Sequence, residues 1–163
     1  TLAIANGGGI RAGIAPGNIT LGDVLTAFPF PNTLTVITIT GADLKAALEH
    51  GVANVGLTES TGRFLQVAGL RYAYNPGQPA GSRLTSVECA NASGHYTPLK
   101  PEADYRVAMA DFLYRGGDGY TLFGKKGRDV EHDDTPVADI VGKWLGQHDP
   151  VKLQLDGRIK TAQ

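Results

Sequence analysis

The chain has one cysteine, Cys89, so no disulfide can close within it and cysteine usage leaves the redox compartment open. Its charges nearly cancel, 15 Lys and Arg against 16 Asp and Glu, for a net charge of −1. That balance provides no basic field to attract a nucleic-acid polymer or an anionic membrane. No apolar run approaches the ~20 residues that span a bilayer. The four histidines, His50, His95, His132 and His148, are scattered. None has the Asp-x-His or His-x-x-His spacing of a metal site, and the chain itself is expected to bind no metal. Neither Gly116-Gly117-Asp118-Gly119 nor Gly124-Lys125-Lys126-Gly127 ends in the Gly-Lys-Ser/Thr of a Walker loop, which removes that form of triphosphatase chemistry. A calcium loop would need more oxygen ligands at regular spacing. There is no Gly-x-Ser-x-Gly elbow, and Cys89 lies in a strand pattern without a cue for a partner. No charged start, apolar stretch and cleavage site mark a signal peptide. The chain opens without Met inside a strand pattern, as the cut start of a domain from a longer protein would.

What remains is an ordinary globular composition, 42% hydrophobic and 19% charged, in a length that suits one domain with a real core. The 22 glycines cluster in loops, and the first cluster organises the rest. Asn6-Gly7-Gly8-Gly9-Ile10-Arg11 follows a short strand, Leu2 to Ala5. Glycines without Cβ let a ligand approach the backbone, and Arg11 supplies a guanidinium suited to phosphate. Two readings stay open here: one wall of an anion or nucleotide cleft, or a glycine-rich turn beside a surface arginine.

Local signals predict most elements. Thr20 caps a short helix over Leu21 to Ala27, with Asp23 in capping-box position. Phe28-Pro29-Phe30-Pro31-Asn32 ends that helix and holds Phe30 in a stiff loop. The β-branched run Thr33 to Thr40 is the clearest strand. Thr40 caps a second helix whose buried stripe is Leu44, Ala47, Leu48, Val52 and Val55, and His50 lies off that stripe as a surface or helix-end residue. Gly56 to Gly62 reads as a polar loop. Strands follow over Phe64 to Val67, Leu70 to Tyr74, Arg83 to Cys89 and Tyr105 to Ala110. His132-Asp133-Asp134 reads as a solvated loop before a last helix over Pro136 to Leu145, with Pro136 in its first position. The excess of strands over helices implies an α+β fold with largely antiparallel or mixed sheets. In the second glycine loop Asp118 is either a carboxylate placed to accept both hydroxyl protons of a ribose diol, or a turn residue bonded to its own backbone.

Several of these stretches together resemble the C-terminal domain of the bimetal 5′-nucleotidases, which include UDP-sugar hydrolases. They are Asn6 to Arg11, Phe28-Pro29-Phe30, Thr33 to His50, Ser60 to Val67, Phe112-Leu113 with Gly116 to Tyr120, and Asp156 to Lys160. The resemblance implies layered mixed sheets flanked by helices over residues 1–163, with no catalytic residue and no metal in this chain. Two divalent metal ions and the catalytic machinery would sit in an N-terminal domain, a partner in cis. It implies an AMP-like nucleotide substrate whose base is sandwiched by Phe30 and Phe112. Asp118 would hold the ribose hydroxyls, Arg11 the phosphate side with Asn6 beside it, and Asn32 and Gly62 would meet the base. Where this chain has Pro31 the family often has glycine. The parent protein would be periplasmic, secreted or at the cell surface. A 2′,3′-cyclic phosphodiesterase or 3′-nucleotidase shares the plan, and a stand-alone nucleotide-binding or adhesive module belongs to another class.

Overall fold

The computed structural model describes residues 1–57 and 62–162. Ser60 and Thr61 of the resemblance, and much of the Gly56 to Gly62 loop, therefore lie outside the described residues. Strand β1 (Leu2–Asn6) buries alternate residues, Leu2, Ile4 and Asn6. The capping box at Thr20 is complete, its hydroxyl accepting from the Asp23 N–H while Asp23 accepts from the Thr20 N–H at 2.8 Å. Helix α1 (Leu21–Ala27) runs from there to the proline loop. Strand β2 (Thr33–Thr40) feeds directly into α2 (Gly41–Val52), capped by Thr40. Leu44, Ala47, Leu48 and Val52 are buried as the spacing requires, whereas Val55 lies beyond the helix end and is half-buried.

Strands β3 (Leu65–Ala68), β4 (Leu70–Tyr74), β5 (Leu84–Ala90), β6 (Tyr96–Pro98) and β7 (Asp104–Ala110) follow. After β7 come α3 (Asp111–Tyr114), a turn of 3-10 helix (Gly117–Gly119) and α4 (Thr121–Lys126). Strand β8 (Arg128–Pro136), α5 (Val137–Gln147) and β9 (Ile159–Thr161) close the chain. The segment containing His132-Asp133-Asp134 is thus a strand and not a loop. Its side chains are charged and exposed, but its backbone completes the hydrogen bonding of β2 at the edge of a sheet. Charge on an edge strand discourages pairing with other chains. Pro136 ends β8 and caps α5 from outside the helix. The apolar stripe of α5 is only partly covered: Ala138 is buried, Val137, Ile140 and Val141 are half-buried, and Trp144 is exposed and stacked on His148.

Two mixed sheets result, with strand orders β3-β1-β7-β2-β8 and β6-β5-β4-β9. The pairs β1–β7 and β4–β9 are parallel and the others antiparallel. Both sheets contribute to one core that includes Ile37, Ile39, Val107, Leu70 and Tyr72, with α2 packed against β2, β3 and β5. The α+β expectation therefore holds. Glu49 on α2 fastens the second sheet: its carboxylate accepts the N–H groups of Arg83 and Leu84, each at 2.9 Å. Arg83 in turn donates to the Val52 and Val55 carbonyls at 2.7 and 2.8 Å, satisfying the C-terminal end of α2.

Strand direction decides where the functional loops meet. β1 and β7 run parallel, so their C-terminal ends point the same way. β3 and β2 are antiparallel to them, so their N-terminal ends lie at that same end of the sheet. Four loops converge there: the one leaving Asn6, the one leaving Ala110, and those entering Thr33 and Leu65. The registers Asn6 opposite Leu65 and Leu34 opposite Ala110 bring them level.

Candidate functional site: a cleft at one end of the first sheet

The converging loops enclose a cleft of about 330 Å³, large enough for a small ligand. It is lined by Asn6, Gly8, Gly9, Arg11, Phe30, Asn32, Gly62, Phe112 and Asp118. All seven residues singled out from sequence, Asn6, Arg11, Phe30, Asn32, Gly62, Phe112 and Asp118, are brought together. A smaller apolar space of about 40 Å³ lies next to it, bordered by Ile10, Phe28, Phe30, Ala110 and Val137.

The first glycine loop is built differently from its simplest reading. Its N–H groups at Gly7 and Gly8 donate to Phe64 and Gly62 carbonyls at 2.7 and 2.8 Å, so they are not free for a ligand. A Cβ on Gly8 would stand 3.2 Å from the Gly62 Cα, so glycine here allows two backbones to approach. Arg11 is anchored by its N–H to the carbonyl of Ala27, the last residue of α1, at 2.8 Å. Its guanidinium donates one hydrogen bond among the described residues, to the Gly8 carbonyl at 3.4 Å.

Phe30 and Phe112 are 46% and 39% exposed, so neither ring is spent on the core. Each is held by its loop. The Asn32 carbonyl accepts from the Val137 N–H at 2.9 Å, fixing the proline loop to α5. The buried carboxylate of Asp111 accepts the Thr33 N–H at 3.1 Å and pairs with Arg115 at 3.0 Å. Asp111 thereby joins the Phe30 loop to the helix that carries Phe112. No local sequence signal marks it for this work.

Asp118 adopts a left-handed conformation, φ 53° and ψ 19°, between Gly116 at φ 94° and Gly119 at φ 85°. Its carboxylate accepts from the Asn6 amide at 2.6 Å. The alternative of a turn carboxylate bonded to its own backbone is therefore not what forms. The other oxygen of Asp118 has no protein partner among the described residues. Behind it, His50 meets the Asp118 carbonyl through Nε2 at 2.9 Å and sets its ring edge against Tyr120. Tyr120 is buried, which pushes its phenol well above the ordinary value, and it donates to the Arg63 carbonyl at 2.6 Å.

The cleft thus offers two aromatic faces, one cation, one carboxylate and two amides. Among the described residues no three His, Cys, Asp or Glu side chains gather so as to hold a metal ion.

Residues 1–125 match the family model described as the 5′-nucleotidase C-terminal domain. The chain is 41% identical over 161 residues to the trifunctional nucleotide phosphoesterase protein YfkN of Bacillus subtilis, covering 98% of this chain and 11% of that protein. It is 35% identical to the snake venom 5′-nucleotidase of Macrovipera lebetinus, covering 98% of this chain and 40% of that protein. In three dimensions it superposes on a 5′-nucleotidase precursor from Thermus thermophilus with a TM-score of 0.92 and 43% identity, over 98% of this chain and 31% of the other. The chain therefore spans well under half the length of these relatives.

Proposed function

The chain belongs to the family of 5′-nucleotidase C-terminal domains, and from that premise we propose that it recognises the nucleotide substrate of a 5′-nucleotidase. In this reading the base lies between Phe30 and Phe112, where stacking is worth roughly 1–3 kcal/mol per base. Asp118 accepts both ribose hydroxyls, Arg11 holds the phosphate side with Asn6 beside it, and Asn32 and Gly62 meet the base edge. Proline at 31 has no N–H to offer the base, and the neighbouring Asn32 lines the cleft. The observation that carries the proposal is the meeting of these seven residues on one cleft, with Asp118 aimed into it by Asn6.

In this proposal an N-terminal domain in cis would hold the two metal ions and would supply the metal-assisted hydrolysis of the phosphate ester. This chain binds and orients, and alone it turns nothing over. Among the described residues no helix is long and apolar enough to cross a membrane. Venom enzymes among the relatives support a secreted, periplasmic or cell-surface parent.

A second reading keeps the cleft and changes the ester. The Bacillus relative is named a trifunctional nucleotide phosphoesterase, which favours a broader range of nucleotides. A 2′,3′-cyclic nucleotide has both ribose hydroxyls esterified and offers Asp118 no protons. Kinetics of the intact protein on 5′-AMP and 2′,3′-cyclic AMP separate the two. The decisive variant is Asp118→Ala. It should weaken AMP strongly and 2′,3′-dideoxy-AMP little, since a hydrogen bond to a charged group contributes about 1.5–3 kcal/mol. Equal losses for both ligands would make Asp118 structural.

A further inference from the structure

We infer that His50 is a positioning residue for substrate recognition, holding the Asp118 loop in the one backbone conformation that aims its carboxylate into the cleft. The inference rests on the reading of Asp118 as the ribose contact. A non-glycine residue in the left-handed region costs free energy and persists only where its surroundings hold it. Asp118 is such a residue, at φ 53°. The side-chain anchor on the cleft side is Asn6, and the anchor on the backbone side is His50, whose Nε2 lies 2.9 Å from the Asp118 carbonyl oxygen. A carbonyl only accepts, so Nε2 carries the proton.

The contact is built from several directions. His50 stands in the last turn of α2, an element outside the sheet whose loops form the cleft. Its ring lies so close to Gly119 that a Cβ there would stand 3.0 Å from Cε1 and Nε2, and Gly119 itself needs a positive φ of 85°. The same ring meets Tyr120 edge-on with centroids 4.7 Å apart. The Tyr120 hydroxyl reaches across to the Arg63 carbonyl, next to Gly62 on the base side of the cleft. Gly51, the next residue of α2, has no room for a Cβ, which would lie 2.9 Å from that hydroxyl. The end of α2 therefore braces the Asp118 loop and the Gly62 loop together, and Arg83 fixes that end through the Val52 carbonyl. His50 does not line the cleft and is not a catalytic residue.

The test uses the intact protein with AMP and 2′,3′-dideoxy-AMP as paired substrates. His50→Leu cannot donate to the carbonyl and should raise KM for AMP about tenfold, the effect of a displaced charged hydrogen-bond partner. It should leave kcat and the dideoxy substrate within about twofold. His50→Gln places an amide N–H near the Nε2 position and should recover most of the AMP affinity. Should His50→Leu fail to fold, His50→Asn, whose amide is too short to reach the carbonyl, replaces it in the comparison. Equal changes for both substrates, or none for either, overturn the positioning role. Asp118→Ala run in parallel separates the two claims. If it discriminates the diol and the His50 variants do not, only the positioning role falls. If it does not discriminate either, the reading of Asp118 falls with it.

Discussion

Gly117→Ala isolates the aromatic contact from everything else in the cleft. Gly117 is not in the left-handed region, so alanine is acceptable to its backbone, unlike at Gly116 or Gly119. The added methyl would lie 2.4 Å from Cε1 and Cζ of Phe112 and 2.6 Å from Cδ1. Carbon atoms in contact sit about 3.5–4.0 Å apart, so the ring must move by roughly 1–1.5 Å. Phe112 is half-exposed at the cleft and has somewhere to go. The cost in stability should be under about 1 kcal/mol, because overpacking at an open site is offset in part by the lost chain entropy of glycine. The cost in binding should be larger. A stacked base contributes roughly 1–3 kcal/mol, and a ring displaced by an ångström or more forfeits much of one face, so AMP and GMP should weaken by about 5- to 30-fold. Ribose 5-phosphate, which has no base, should bind as before. The assay is competitive inhibition by AMP, GMP and ribose 5-phosphate in the intact protein, with a thermal melt as control. In a Phe112→Ala background Gly117→Ala should add nothing. Wild-type AMP affinity in Gly117→Ala, or an equal loss for ribose 5-phosphate, would refute the reasoning.

Three further outcomes are expected. Thr20→Ala removes the hydroxyl that accepts the Asp23 N–H, while the backbone half of the α1 capping box remains; it should cost about 1 kcal/mol, lowering the melting temperature by roughly 2–4 °C, and an unchanged melt would show that the hydroxyl does not hold α1. The Arg158 guanidinium, through side-chain hydrogen bonds, holds the Asp156 carboxyl down at about 2. A depressed carboxyl stabilises the fold above its unfolded value of about 4 and ceases to do so as pH falls through the folded one. Asp156→Asn should thus melt below wild type near neutral pH and coincide with it at low pH, and a gap that persists there would contradict this. Finally, the 163-residue chain supplied with manganese, cobalt or zinc should release no phosphate from AMP above blank; turnover abolished by a chelator would overturn the division of labour proposed here.

Where a residue speaks through its neighbours in sequence, the fold was legible. Thr20 and Asp23 announce α1 and the β-branched run announces β2, both with the observed bounds, while Thr40 announces the start of α2 but the stripe through Val55 overruns its end at Val52. Strand β8 was not legible, because its charged side chains say loop while its membership in the sheet depends on the hydrogen-bonding edge that β2 offers. The short α3 and α4 lie in a stretch whose glycines obscure any helical stripe. The candidate site divides in the same way. The residue types of the seven positions singled out can be read from glycine loops, prolines and the resemblance. Their supports cannot: Asn6 meets Asp118 across 112 residues, and Asp111 and His50 acquire their partners only when sheet and helix have packed.

The central claim, that this cleft takes a nucleoside monophosphate, is tested most directly by titrating AMP into the chain and following its backbone amide resonances. Shifts should appear at Gly9, Arg11, Phe30, Asn32, Gly62, Phe112 and Asp118, and be absent from the Trp144 face of α5. Ribose 5-phosphate should reproduce them at Arg11 and Asp118 but not at Phe30 or Phe112. No shift with millimolar AMP, or shifts centred away from the cleft, would contradict the account.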